Sequence, residues 1–321
     1  MSLTQAEAHA LFARMLDGAM SEGEIRDTLV KLADRGESAE EIAGAATAMR
    51  ERMVRIDGFS DAIDVCGTGG DGQHSLNIST AVSIVVAACE VRMAKHGNRA
   101  ASSKAGAADT LEALGLDLDG AGANAEKTLE EIGIAFLFAQ AHHPAMKYVM
   151  PIRKALGRRT IFNLLGPLAN PAGVTRQLVG LASPDLVALY RDAMELLGMK
   201  RAMIVSGMEG LDEISIAGPS RISTIGIEGI GEEVTPEDAG LARHPLTAIK
   251  GGDPEYNAAA LRRLLDGEKG AYRDAVLLNA AAALIVAEEA DSWHEGVEEA
   301  AEAIDKGLAK QMLECWISAS S

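Results

Sequence analysis

The sequence predicts an α/β fold with a small all-α domain attached, and three observations carry that prediction. The first sixty residues hold three reciprocal helix starts, short apolar runs alternate with helical stretches from Ala62 onward, and His143 to Pro171 reads as a helical excursion from that alternation. In the first part, Thr4 with Glu7, Ser21 with Glu24 and Ser38 with Glu41 place a hydroxyl and a carboxylate three residues apart. At that spacing each satisfies a free backbone donor of a helix start. Leu11, Met15 and Leu16, then Ile25, Leu29 and Leu32, recur at helical spacing, so each short helix buries one stripe. In the second part, Ile63 to Cys66, Val91 to Ala94, Ile134 to Phe138, Leu178 to Ala182 and Ala202 to Val205 predict the strands of a sheet. Gly157 and Gly166-Pro167 punctuate the excursion. The expected division is a small helical domain, 1–62 plus about 141–172, and a large α/β domain, 63–140 plus 173–321.

Composition narrows the function. The chain has 321 residues with 30 Lys+Arg against 47 Asp+Glu, a formal charge of −17, which speaks against a general polyanion binder. It is 48% hydrophobic and 24% charged, too apolar for a disordered chain, and its 3% aromatics argue against an aromatic single-strand or sugar platform. The charge is uneven. Between Ile132 and Pro184 there is no Asp or Glu, yet Lys147, Arg153, Lys154, Arg158, Arg159 and Arg176 fall there, whereas Glu288 to Asp305 is acidic at the spacing of a solvated helix. Cys66, Cys89 and Cys315 have neither disulfide-framework nor zinc spacing, and no leader or membrane span is evident, so the expectation is a cytoplasmic protein.

Four motifs carry chemistry. Gly67-Thr68-Gly69-Gly70-Asp71-Gly72 follows a predicted strand and precedes Asn77-Ile78-Ser79-Thr80, expected to cap a helix from Ala81 to Ala88. Glycine amides and a helix start together suit a phosphate or diphosphate, and the spacing is neither that of a P-loop nor of a dinucleotide fingerprint. Lys95-His96-Gly97-Asn98-Arg99 ends the next strand, with Ser102-Ser103-Lys104 following. Both motifs then lie beyond strand C-termini, where parallel sheets bind ligands. Lys95 offers a point charge, and His96 either binds substrate or orients the loop. Asp212-Glu213 is a carboxylate pair suited to magnesium beside a phosphate, or else a solvent-facing dipeptide. In the acid-free tract, a helix with Met146, Val149 and Met150 on one face and Arg153 a turn further offers an apolar floor and a guanidinium for a carboxylate. The alternative is a packing helix with solvated arginines.

Taken in order, GTGGDG, NIST, KHGNR, SSK, HHPAMK, RTIFNLLGPLANP and GLDEIS resemble the anthranilate phosphoribosyltransferase family over essentially the whole chain. The resemblance implies the nucleoside phosphorylase / phosphoribosyltransferase fold on a mostly parallel sheet, a homodimer formed through the helical part, and two Mg2+ ions. It implies transfer of phosphoribosyl from 5-phosphoribosyl 1-diphosphate (PRPP) to the amine of anthranilate, with no nucleic acid or membrane as partner. Carried over by motif, Gly67, Gly70, Asp71, Ser75, Asn77, Ser79, Thr80, Lys95, Asn98, Ser103 and Ala107 would surround PRPP. Gly67, His96, Asn98, His143, Arg153, Gly166 and Pro167 would meet anthranilate, with Asn98 and Arg153 as the catalytic pair, and Ser79, Asp212 and Glu213 would serve the metal.

The chain departs from the family pattern twice. Ala105 and Ala107 stand where hydroxyl residues are usual, a loss of about 0.5–1.5 kcal/mol per neutral hydrogen bond. Ser206-Gly207-Met208-Glu209-Gly210 replaces the usual HGxDG before the acidic pair. The rival readings are a nucleoside phosphorylase of related fold, a non-catalytic nucleic-acid binder using the basic tract, and a purely structural helical interaction protein, which leaves the glycine loop unexplained. The −17 balance opposes the second.

Overall fold

The computed structural model of the chain describes residues 2–100 and 103–320. Helices α1 (Gln5–Leu16), α2 (Glu22–Arg35) and α3 (Ala39–Arg50) open it, and each of the three expected capping boxes forms. Buried Phe12, Met15, Leu29 and Ile42 join these helices to one another and to Val149, Phe162 and Leu165 of the later helical stretch.

The remainder runs β1 (Ile63–Gly67), α4 (Ile78–Ala88), β2 (Met93–Gly97), α5 (Ala107–Ala113), α6 (Leu118–Ala123), α7 (Ala125–Glu131) and β3 (Ile134–Phe138). After these come α8 (Ala139–His142), α9 (Met150–Leu156), α10 (Phe162–Leu165), β4 (Arg176–Gly180), α11 (Val187–Leu196) and β5 (Arg201–Gly207). Strands β6 (Ser220–Ile225) and β7 (Glu233–Val234) precede α12 (Pro254–Leu265), α13 (Ala271–Ala287), α14 (Trp293–Asp305) and α15 (Leu308–Ser320). The sheet order is β3-β2-β1-β4-β5-β6-β7, parallel from β3 through β5, with β6 and β7 antiparallel at one edge. One face packs against α4 and the nearly all-apolar α13. The other packs against α11, and one continuous apolar cluster holding Val179, Leu181, Ala202 and Ile204 runs on from there to the N-terminal helices. No helix among the described residues is long and apolar enough to cross a membrane.

Several local expectations are corrected. β2 begins two residues later than expected and runs through Lys95 and His96, because both buried polar side chains have partners inside the fold. β4 begins at Arg176 rather than Leu178, since Arg176 is held at the strand's entry by Glu288 and the carbonyl of Ala287. α4 starts at Ile78, three residues before the expected Ala81, and Asn77 stands at the cap position without giving its side chain to the helix. The face expected to join Met146, Val149 and Met150 does not exist. A 3-10 turn, Pro144–Tyr148, ends at Val149, which is buried, while Met150 begins α9 and is exposed. Strands β6 and β7 carry no continuous apolar run, only the broken alternation of SRISTI, and so were not expected.

Candidate active site

The segments singled out by sequence follow the carboxyl ends of the parallel strands: the glycine loop after β1, residues 98–107 after β2, His142 and His143 after β3, and the acidic loop after β5. That is where open parallel sheets bind ligands. Close backbone approach seats the acidic loop there. A Cβ on Gly67, at the end of β1, would stand 2.2 Å from Asp212 Oδ2, and one on Gly180, at the end of β4, 1.7 Å from the Asp212 carbonyl oxygen. Glycine at both strand ends lets the Asp212 backbone lie directly over the sheet.

The acidic pair and the anion donors meet. The amide of Gly69 donates to Asp212 Oδ2 at 2.7 Å, and the amide of Ser79, in the first turn of α4, donates to Glu213 Oε1 at 3.2 Å. Burial pushes the Asp212 carboxyl up, and Asp71 adds repulsion; burial does the same to Glu213, with Asp212 adding to it. Neither carboxylate forms an ion pair with a protein cation among the described residues. Two desolvated carboxylates, without a direct ion pair among the described residues and with only the charge of Lys95 acting on Glu213 from farther off, sit beside backbone anion donors and fit a hard divalent cation that takes the rest of its shell from phosphate and water. Ser79 Oγ accepts from Lys95 Nζ at 3.4 Å. Thr80 is buried and its hydroxyl has no partner.

Between the glycine loop and α4, the chain is strapped by a second segment. Ser75 bridges Lys250, the Leu76 amide donates to the Ile249 carbonyl, and the Gly251 amide donates to that of His74. Asn77 accepts from Thr110 Oγ1 at 2.6 Å and Asn257 Nδ2 at 2.8 Å, which explains why its side chain does not cap α4. Asp71 accepts from the Gln73 amide. Gly70, with φ of +79°, has open space where a side chain would stand.

Beneath the crevice lies a residue the sequence reading missed. Asp64 is fully buried in β1, accepting from the His96 amide at 3.1 Å and from Gln177 Nε2 at 3.3 Å. β1 and β2 share one register pair, Ile63 with Met93, where the neighbouring parallel pairs share five. Beyond it the strands exchange side chain for main chain: Asp64 takes the His96 amide, and Lys95 Nζ donates to the Val65 carbonyl at 2.8 Å. Burial lowers the Lys95 pKa and raises that of Asp64, and each offsets the other's penalty. The available signal was a lone carboxylate in the apolar run Ile63 to Cys66.

His96 Nδ1 donates to the Gly166 carbonyl at 3.1 Å, since a carbonyl only accepts. Its Nε2 is therefore the acceptor for His143 Nε2, 3.3 Å away. Burial, with the neighbouring imidazoles, lowers His96 to about 3 and His143 to about 4, so both rings are neutral near pH 7. Pro167 is buried, its carbonyl accepting from Gln177. Arg153 stacks over Phe162 at 5.5 Å and reaches Asn163 Oδ1 at 3.5 Å, four residues before Pro167, with no carboxylate partner among the described residues. Arg158 and Arg159, by contrast, are spent on Asp34 of α2 and on Glu37 between α2 and α3. Asn98 is exposed, accepting from Gln140 Nε2 and from the Arg99 amide, and makes no direct contact with Arg153. Ser103 is exposed and Ala107 half-buried at the start of α5; Ser102 lies outside the described residues.

Comparison with known proteins bears on this geometry. The chain matches the glycosyl transferase family a/b domain over residues 60–310 and the family's helical bundle domain over residues 1–53. It is 64% identical to anthranilate phosphoribosyltransferase from Novosphingobium aromaticivorans over 318 residues, covering 99% of this chain and 96% of that one. The chain belongs to the anthranilate phosphoribosyltransferase family. The family's crystal structure from Thermus thermophilus superposes with a TM-score of 0.95 at 45% identity, covering 100% of this chain and 96% of that one. The Saccharomyces cerevisiae enzyme in complex with PRPP and Mg superposes with a TM-score of 0.89 at 29% identity, covering 99% and 93%. As a member of this family the chain is a glycosyltransferase of tryptophan biosynthesis. It transfers the phosphoribosyl group of PRPP to the amine of anthranilate, with diphosphate as the second product.

Proposed function

We propose the following division of labour for that transfer. Gly67, Gly70, Asp71, Ser75, Asn77, Ser79, Thr80, Lys95, Asn98, Ser103 and Ala107 surround PRPP. Gly67, His96, Asn98, His143, Arg153, Gly166 and Pro167 surround anthranilate. Ser79, Asp212 and Glu213 hold two Mg2+ ions. The observation that carries this reading is the junction of the acidic pair with the glycine loop and α4: Asp212 and Glu213 rest on the very amides, of Gly69 and Ser79, that suit a diphosphate. Bound magnesium supplies charge neutralisation on the departing diphosphate.

The chain's own groups do the rest. At the anomeric carbon the bond to the diphosphate oxygen breaks while the bond to the anthranilate nitrogen forms. The oxygen keeps the electron pair, and the nitrogen, now a strongly acidic arylammonium, loses its proton to water. Glycine-loop amides and Lys95 face the growing negative charge in fixed positions, the arrangement that makes preorganised dipoles effective. Arg153, lacking a carboxylate partner and held flat by Phe162, takes the anthranilate carboxylate, and Asn98 orients the amine. An aryl amine is largely unprotonated at neutral pH, so no strong base is needed. The neutral imidazoles of His96 and His143 therefore act as walls and hydrogen-bonding groups rather than as proton acceptors. The chain works as a cytoplasmic homodimer joined through the helical domain of residues 1–62 and about 141–172.

Loss of anthranilate fluorescence, followed with PRPP and magnesium each omitted in turn, tests the scheme. Loss is expected only when both are present, and loss that persists without either overturns it.

A further inference from the structure

We propose that Asn279 is a positioning residue for the metal-binding loop, and that α13 sets the spacing between this loop and the start of α4. The inference rests on the reading of Asp212 and Glu213 as cation ligands and goes beyond it to the groups that hold them. Asn279 is completely buried in the middle of α13. Its Oδ1 accepts from the Ile214 amide at 2.9 Å, and its Nδ2 donates to the Ile214 carbonyl at 3.0 Å and to Ala275, four residues back in its own helix, at 2.9 Å. The side-chain amide thus grips both backbone groups of the residue directly after Glu213, as a neighbouring strand would. Around it Leu211, Ile214 and Ile216 are wholly buried, so this stretch of loop is anchored, and the side chains of Asp212 and Glu213 are aimed by that anchoring.

The same helix holds the other half of the site. Tyr272, seven residues earlier, donates its hydroxyl to the Asn77 carbonyl at 3.1 Å, at the cap position of α4. Seven residues of helix span about 10 Å. Asn257 of α12 holds Asn77 from its side chain and takes the Gly252 amide at 2.8 Å. The contact between Glu213 Oε1 and the Ser79 amide is therefore made between two segments fixed to one rigid helix. A leucine at 279 would fill similar space but leave the buried Ile214 amide and carbonyl unpaired. The amide at this core position is explained by what it does for the loop.

The test measures metal binding apart from turnover. Mn2+ is titrated into the full-length protein and followed by water-proton relaxation for the parent, Asn279→Ala, Glu213→Gln and Leu284→Ala. Leu284 is a buried apolar position near the far end of α13 that serves as a control for general destabilisation. Loss of a group that orients metal ligands lowers metal affinity by roughly tenfold or more. We expect that loss for Asn279→Ala, with the KM for PRPP rising and that for anthranilate unmoved, while Leu284→Ala keeps parental affinity at a comparable loss of Tm. Weakened Mn2+ binding in Glu213→Gln together with parental binding in Asn279→Ala overturns the role of Asn279 alone. Equal weakening in Leu284→Ala also overturns it. Parental binding in both Glu213→Gln and Asn279→Ala overturns the metal assignment, and the clamp with it.

Discussion

Around the glycine loop, the groups assigned to diphosphate and metal are backbone amides and short side chains, seated by glycine contacts at strand ends and strapped by the segment around Lys250. Around Arg153 and the two imidazoles, the groups assigned to anthranilate are long or ring-shaped side chains, Arg153 on the short helix α9, His143 just after α8 and His96 near the end of β2, held by stacking and a few polar contacts. The first half neutralises charge, which backbone dipoles do well only when they cannot move. The second recognises a flat aromatic acid, which needs shape and one guanidinium more than it needs charge density. A lesion should therefore be expressed differently in the two halves: as loss of the whole reaction in the first, and as loss of affinity for one substrate in the second.

The largest expected effect comes from the most rigid point. Gly180→Val puts a branched side chain where even a Cβ would stand 1.7 Å from the Asp212 carbonyl, so the acidic loop must lift off the sheet. Misplacement of reacting groups by about 1 Å costs roughly 10²-fold in rate. We expect at least that loss in kcat/KM for both substrates, with the fold retained by circular dichroism. Loss confined to anthranilate would erase the distinction between the halves.

Arg153→Glu comes next. A charged hydrogen bond is worth about 1.5–3 kcal/mol, so reversal should lower kcat/KM for anthranilate roughly ten- to a hundredfold. PRPP binding, measured by calorimetry, should change less than twofold. Unchanged anthranilate kinetics would remove Arg153 from the site.

Acid should act on the two halves with opposite sign. His96 and His143 are depressed to about 3 and about 4 from an ordinary 6.5. The unfolded chain therefore binds more protons below pH 6.5, and the stability present above that pH is lost as pH falls towards the folded values. Asp212 and Glu213 are raised instead, so acid relieves their repulsion in metal-free protein. For His143 the loss amounts to about 2 kcal/mol at pH 5. His143→Asn should reduce the fall in unfolding free energy between pH 7 and pH 5, measured by denaturant titration, by about that amount. Parallel curves for parent and variant would show that the ring is not buried neutral.

Most of the diphosphate half was legible in the sequence because its chemistry is local. The glycine loop with its helix start, and the pair of adjacent carboxylates, are each local in the chain, and each states its requirement within a few residues. The anthranilate half was less so. Met146, Val149 and Met150 follow a helical period, but Pro144 and Pro151 divide the stretch into a 3-10 turn and a separate helix, so period alone placed them on a face that does not form. Asp64, Asn257 and Asn279 were not found at all. Each acts on a partner far along the chain, and nothing local distinguishes a buried amide that grips a loop from one on the surface. The edge strands β6 and β7 escaped for a related reason, since β6 is recruited by β5, and β7 by β6, rather than by an apolar pattern of their own.

The smallest predicted effect returns to a departure from the family pattern. Ala107 begins α5 after Gly106, and the turn there is already fixed: Asp109 Oδ2 accepts from the Ala100 amide at 2.9 Å and from the Gly106 amide at 2.8 Å. A Cβ built on Gly97, the last residue of β2, would stand 3.2 Å from the Ala107 Cβ, so this methyl group lies beside the strand end that also delivers Lys95 and His96. Ala107→Ser therefore adds a hydroxyl without moving the backbone. One neutral hydrogen bond contributes about 0.5–1.5 kcal/mol, so the KM for PRPP should fall roughly two- to tenfold, with that for anthranilate unchanged. The gain is capped because the hydroxyl must give up water, and because the amides and the lysine nearby already carry most of the charge. An equal fall in both KM values would mean that Ala107 borders both substrates, and the division between the two halves would have to be redrawn at the end of β2.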